Sequence, residues 1–158
     1  MRVQLVPGGL RVEAASESET EQLGAALARV VEPHVVIGLV GPLGAGKTRL
    51  VRAFAEALGA DPGAIASPTF VLIHEYEGSL PIYHFDTYRL DSLEAFAALG
   101  PEDYWSAGGV CLVEWADRVA ERLPTDRWTI RIEPTGPTAR RFEVDCPEAV
   151  ARRLAAAL

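Results

Sequence analysis

Apolar positions along this chain switch between a helical and a strand rhythm, and the switches mark its elements. Val35-Val36-Ile37-Gly38-Leu39-Val40 and Val110-Cys111-Leu112-Val113 carry no polar side chain, the pattern of strands buried on both faces of a parallel sheet. After the first run, Leu50, Val51, Phe54, Ala57 and Leu58 recur at helical spacing, and Gly59 supplies a stop. Before it, Leu23, Leu27 and Val30 share one face of a helix that Ser16-Glu17-Ser18-Glu19 opens as a capping box and Pro33 ends. Residues 3–6 and 10–12 read as short strands broken by Pro7-Gly8-Gly9. Residues 71–76 and 81–86 flank Glu77-Gly78-Ser79 as an antiparallel hairpin, and 128–133 with 140–145 form a second one. Shorter helices are expected over 92–99, from Pro101 to Trp105, over 117–123 and at the C-terminus. Without repeats, low-complexity tracts or a composition break, the pattern describes one three-layer α/β domain over residues 1–158 with a mixed sheet.

The first strand and its helix enclose Gly41-Pro-Leu-Gly-Ala-Gly-Lys-Thr48, a match to G-x-x-x-x-G-K-[ST]. In such a loop the glycines let backbone N–H groups turn inward around phosphate oxygens at the positive end of the following helix. The domain is therefore expected to be P-loop NTPase-like with a mainly parallel central sheet. Gly41, Leu43, Gly44, Ala45, Gly46, Lys47 and Thr48 are the candidate phosphate and nucleotide contacts. Lys47 is the only lysine among 15 basic side chains, so arginine replaces lysine everywhere except where a compact ammonium is needed.

Hydrolysis needs more than the loop. Thr48 is the expected hydroxyl ligand for Mg²⁺. Asp86 and Glu114 each end an apolar run, and the cleft of such sheets lies at the carboxyl ends of the strands. Either acid can serve the metal, or act as a helix cap or turn residue. Glu114 is preferred because its strand reads as central. Thr69, in Ser67-Pro68-Thr69-Phe70, reads either as a switch residue reaching Mg²⁺ or the γ-phosphate, or as part of a proline-initiated edge strand. Arg89 is a candidate phosphate or partner contact, or a surface ion pair. Trp115 could wall the site or anchor an interface, although buried packing is the commoner role.

The bulk numbers narrow the function classes. A net charge of −7 and a pI near 5.0 argue against autonomous nucleic-acid binding by a broad basic surface. No apolar stretch is long enough for a membrane helix and no signal-peptide pattern is present, so a cytoplasmic protein with reduced Cys111 and Cys146 is expected. The guanine-reading N-K-x-D motif cannot occur in a chain without asparagine, which favours adenine. His74-Glu75-Tyr76-Glu77-Gly78 fails H-E-x-x-H, so zinc hydrolysis finds no support.

Five motifs occur in one order: Ser16-x-x-x-Thr20-x-x-Leu-Gly24, the P-loop, Ser67-Pro-Thr-Phe70, His84-Phe-Asp-x-Tyr-Arg-Leu90 and Glu114-Trp-Ala116. Together they are similar to TsaE, the small bacterial ATPase family of tRNA threonylcarbamoyladenosine biosynthesis, over about Ser16 to Leu123. The resemblance implies an ATP- and Mg²⁺-dependent hydrolase that supports TsaD-like and TsaB-like partners, which modify the tRNA adenosine beside the anticodon. tRNA would be met within that complex, and the chain would not itself be the transferase. Carried over by motif, Lys47 and the loop amides hold phosphates, Thr48 and Glu114 bind Mg²⁺, Asp86 assists metal or water, and Thr69 belongs to a switch-like loop. Pro42 departs from the family, which usually carries an acidic residue there; proline also lacks the backbone N–H. A small-molecule or nucleoside kinase is the competing class. It would need an acceptor pocket and a basic lid, whereas the paired arginines, Arg140-Arg141 and Arg152-Arg153, flank the last hairpin and helix.

Overall fold

A computed structural model of the chain describes residues 1–65 and 72–158. Eight strands form one sheet in the order β1-β2-β8-β7-β3-β6-β5-β4. The strands are β1 (Arg2–Val6), β2 (Gly9–Ala14), β3 (Val36–Val40), β4 (Ile73–Tyr76), β5 (Ile82–Asp86), β6 (Val110–Glu114), β7 (Trp128–Pro134) and β8 (Arg140–Asp145). The two apolar runs lie side by side at the middle: β3 pairs in parallel with β6 and with β7, and β6 pairs in parallel with β5. Both wings are antiparallel, β1-β2-β8-β7 on one side and β5-β4 on the other. The sheet is thus mixed, with its parallel part in the middle, as in a P-loop NTPase-like fold.

Helices cover both faces. On one, α1 (Glu17–Val30), α2 (Lys47–Ala57) and α5 (Glu148–Ala157) bury Leu23, Leu27, Leu50, Phe54 and Leu154 against Ile37, Leu39, Leu112 and Ile130. On the other, the short helices α3 (Leu93–Ala97) and α4 (Pro101–Trp105) close over Phe85, Phe96, Cys111 and Val113. Ser16 caps α1 by accepting the Glu19 N–H at 3.2 Å. The Glu19 carboxylate does not reach back to Ser16 as a capping box would. It accepts instead from Ala15 N–H and from the Met1 ammonium, both at 2.7 Å.

The helix expected over 117–123 is a correction. Two 3-10 turns, Ala116–Arg118 and Ala120–Arg122, stand there. Trp115 precedes them at φ 60°, and a chain that leaves a strand through the left-handed region has too few residues left for cooperative α-helix growth.

Gly24 explains its place in the first motif. A Cβ there would stand 2.8 Å from the Ala53 Cβ and 2.9 Å from the Leu50 carbonyl oxygen, so α1 crosses α2 where only glycine fits. Gly24→Val is expected to lower stability by about 2 kcal/mol, the ordinary cost of overpacking, and to move the urea midpoint down with an unchanged slope. A wild-type midpoint would refute the close crossing.

Both cysteines are free and buried. Burial pushes the Cys111 thiol up to about 12 and the Cys146 thiol up to about 11. Neither is expected to react with a thiol reagent at pH 8 in the folded protein, and both should titrate in denaturant. Rapid native labelling of Cys111 would contradict its position under α4. Among the described residues no helix is long and apolar enough to cross a membrane.

Candidate functional site

The loop between β3 and α2 carries the site. Gly44 at φ 76° and Gly46 at φ 102° are in the left-handed region, where a Cβ would be strained, and this lets the chain coil into the first turn of α2. Gly46 is the N-cap of α2, and no side chain occupies the cap. The orphan amides of that helix start therefore stay available to an anion. Pro42 contributes through its carbonyl, which accepts from the Ala45 N–H at 3.1 Å and from Lys47 Nζ at 2.8 Å.

Lys47 is only 5% exposed. Its ammonium also donates to the Gly41 carbonyl at 2.6 Å and lies 3.9 Å from the centre of the Trp115 ring. Burial pulls it below the usual lysine value, while the Glu114, Asp117 and Asp86 carboxylates push it back up.

The two strand-end acids are register neighbours, Asp86 opposite Glu114. Glu114 is buried, and its Oε1 accepts from the Thr48 hydroxyl at 3.2 Å while Oε2 stands 2.7 Å from His84 Nε2. His84 is buried too, and its Nδ1 has no hydrogen-bond partner among the described residues. Asp86 is half-buried and accepts the Tyr88 N–H at 3.1 Å, so it closes a turn as well as lining the cleft.

These residues converge on one cleft of about 390 Å³ that Leu43, Gly44, Ala45, Gly46, Lys47, Thr48, Asp86, Glu114 and Trp115 line together. A larger groove of about 580 Å³ runs along α1 and α2. Its lining shares Thr48 and Arg49 with the first but lacks the glycines, the lysine and both acids, so the chemistry belongs to the smaller cleft. Thr48 Oγ1 and the two carboxylates are hard oxygen donors of the kind Mg²⁺ takes. No set of three His, Cys, Asp or Glu side chains gathers among the described residues.

A family model for "Threonylcarbamoyl adenosine biosynthesis protein TsaE" matches residues 14–142. The chain belongs to the TsaE family. Among its relatives, the tRNA threonylcarbamoyladenosine biosynthesis protein TsaE of Bacillus subtilis is 38% identical over 88% of this chain and 92% of that one. The Treponema pallidum protein of the same name is 41% identical over 78% of this chain and 90% of its own length. The crystal structure of Bacillus subtilis YdiB superposes with a TM-score of 0.78 at 34% identity, covering 99% of this chain and 97% of that one.

Within this TsaE-family fold, Leu43 to Thr48, Asp86 and Glu114 line one cleft. Gly41 is not part of that lining: a Cβ on it would meet the Ile132 carbonyl oxygen at 2.7 Å, and it reaches the site only through its carbonyl, which accepts from Lys47. Thr69 lies outside the described residues. Arg89 is exposed in the turn after β5 and is not part of the cleft lining. Two further residues shape the cleft, one by a role the sequence left open and one by a role it did not suggest. Trp115 is not simply packing: its left-handed backbone folds the indole back over Lys47, and Tyr88 packs against it with the rings tilted by 39° and their centres 4.9 Å apart. The Thr87 hydroxyl holds that turn by donating to the carbonyls of Glu114 at 2.8 Å and Trp115 at 3.1 Å. Arg140 was assigned only to the last hairpin, yet it donates to two carbonyls of the P-loop. Nothing local in the sequence marks the role of Arg140, whereas the place of Trp115 beside Glu114 left its role open.

Proposed function

We propose that this TsaE-family chain is an Mg²⁺-dependent ATPase whose hydrolysis supports the tRNA threonylcarbamoyladenosine machinery, acting with TsaD-like and TsaB-like proteins. One observation carries the reading. The P-loop lysine, the Thr48 hydroxyl and two strand-end carboxylates face the same cleft, and Thr48 is already within hydrogen-bonding distance of Glu114. That is the set phosphoryl chemistry asks for, charge to bind the phosphates and oxygens to hold the metal.

In this reading Lys47 supplies a positive charge to the β- and γ-phosphates, and the uncapped amides at the start of α2 supply directed donors. Thr48 and Glu114 hold Mg²⁺, which when bound neutralises charge on the phosphates. Asp86, less buried than Glu114, assists the metal or water. The His84 contact keeps the Glu114 carboxylate turned toward Thr48. Trp115 walls the lysine side of the cleft and keeps bulk water from its ammonium. Adenine is supported by the lack of asparagine, which rules out N-K-x-D. The catalytic set is sparse, so intrinsic hydrolysis is slow and rises when partners complete the site. tRNA is met within the assembly, in keeping with a charge of −7, and the protein works in the cytoplasm.

Reconstituted tRNA modification with TsaD-like and TsaB-like proteins tests the reading. Repeated turnover is expected to require this chain and hydrolysable ATP. Unchanged turnover on omitting it would refute the pathway role, and phosphoryl transfer to a small acceptor would establish the kinase class instead.

A further inference from the structure

We infer that Arg140 is a positioning residue that holds the phosphate-binding loop in its binding shape from the far wing of the sheet. The inference rests on the nucleotide reading above. Arg140 begins β8, opposite Pro134 of β7, where the β7–β8 turn closes with a Thr135 N–H bond to the Ala139 carbonyl. Its guanidinium forks. On one side Nε donates to the Ala45 carbonyl at 2.7 Å and Nη2 to the Gly44 carbonyl at 3.2 Å. On the other, Nη1 donates to the Ala139 carbonyl at 2.8 Å and the Gly136 carbonyl at 3.0 Å.

Loop and turn are thus riveted through one planar cation. A lysine, with a single point charge and no fixed fork, could not span the same four carbonyls in this geometry. The loop needs such a rivet. Gly44 and Gly46 both adopt positive φ, and glycine is the residue with most conformational freedom to lose. A peptide is planar and trans, so its C=O and the next N–H point in opposite directions. Anchoring the Ala45 carbonyl therefore sets the direction of the Gly46 amide, while anchoring the Gly44 carbonyl fixes the peptide whose Ala45 N–H is already bonded to the Pro42 carbonyl. Binding to a loop already so ordered avoids the cost of ordering it. The arginine also brings a positive charge to the anion site: a Cβ on Gly46 would lie 3.8 Å from its Nε.

Its neighbour supplies the control. The Arg141 guanidinium pairs with Glu133 at 3.1 Å and Glu13 at 3.5 Å, so it serves the wing alone. The experiment measures Mg·ATP affinity by calorimetry, kcat at saturating ATP, and amide hydrogen exchange over residues 41–48 in the nucleotide-free protein. It compares the unaltered chain with Arg140→Ala, Arg140→Lys, Arg141→Ala and Lys47→Ala. Both Arg140 variants are expected to bind ATP about tenfold more weakly, with kcat within about twofold. Exchange over the loop should be faster in both, and Arg141→Ala should match wild type. Should Arg140→Ala fail to fold, Arg140→Lys carries the same comparison.

Wild-type affinity and exchange in a folded Arg140 variant would overturn the clamp while leaving the nucleotide reading intact. So would a fall in kcat at unchanged affinity, because Arg140 would then act on the reacting phosphate. Failure of the unaltered chain to bind ATP, or full binding by Lys47→Ala, would instead overturn the nucleotide reading and the clamp with it.

Discussion

Lys47→Ala is expected to weaken Mg·ATP binding by at least about a hundredfold, roughly 2.7 kcal/mol, while leaving the fold unchanged. The direction follows from how the ammonium is held. It is 5% exposed, lies against the Trp115 ring, and is bonded to the Gly41 and Pro42 carbonyls. A cation so poorly hydrated interacts strongly with a phosphate placed beside it, because little water is present to screen the charge. Stability should change little. Burial already disfavours the ammonium, so its removal relieves a desolvation cost as it forfeits two hydrogen bonds, and the Pro42 carbonyl keeps its bond from Ala45. Lys47→Arg is expected to fail as well, since a guanidinium is too wide for the slot between the two carbonyls and the indole. Calorimetric titration checks both variants, and wild-type affinity in either would overturn the role given to the ammonium.

Glu114→Gln is expected to cut ATP hydrolysis by about a hundredfold while changing ATP affinity much less. The carboxylate is the group within reach of both Thr48 and His84. The amide keeps the volume and can still meet His84, but it removes the charge that would hold the metal. Glu114→Ala should show the same loss of hydrolysis and an added destabilisation of about 1–3 kcal/mol. It leaves His84 buried without the Nε2 contact, and its Nδ1 already lacks a partner among the described residues. Single-turnover hydrolysis with parallel thermal unfolding separates the two effects. Wild-type hydrolysis in Glu114→Gln would remove this residue from the metal site, and equal stability of the two variants would show that the His84 contact is dispensable.

The glycine-rich loop between β3 and α2 was readable because everything it requires is contiguous. A buried strand, glycines at fixed offsets and a helix start follow one another within a few residues, and short-range sterics make that order almost self-specifying. The two strand-end acids were readable for a related reason, since parallel central strands bring their carboxyl ends to one edge. The preference for Glu114 was legible too, from the fully apolar run before it, and it is Glu114 that meets Thr48. Asp86 and Glu114 are opposite one another in register, each at the end of a strand flanked on both sides, and the difference between them is burial: Glu114 is buried against Thr48 and His84, whereas Asp86 is half-buried at an open turn and spends an oxygen on Tyr88.

By itself, then, the sequence determined the family, the phosphate loop, the alternation of helices and strands, and the acids that end two of those strands. Each depends on interactions within a turn or a strand, or on periodicity that a one-dimensional reading preserves. Tertiary structure alone decided the order of the strands in the sheet, the indole over Lys47 and the arginine beneath the loop. Arg140 and Ala45 are 95 positions apart, and they meet because β8 pairs with both β2 and β7, which brings its first residue beside the loop after β3. Trp115 turns inward through a backbone conformation that its own side chain disfavours. It is held there by Thr87 from a neighbouring strand end. Contacts of that kind are set by strand order, and strand order is chosen by the packing of the whole sheet, not by any segment of it.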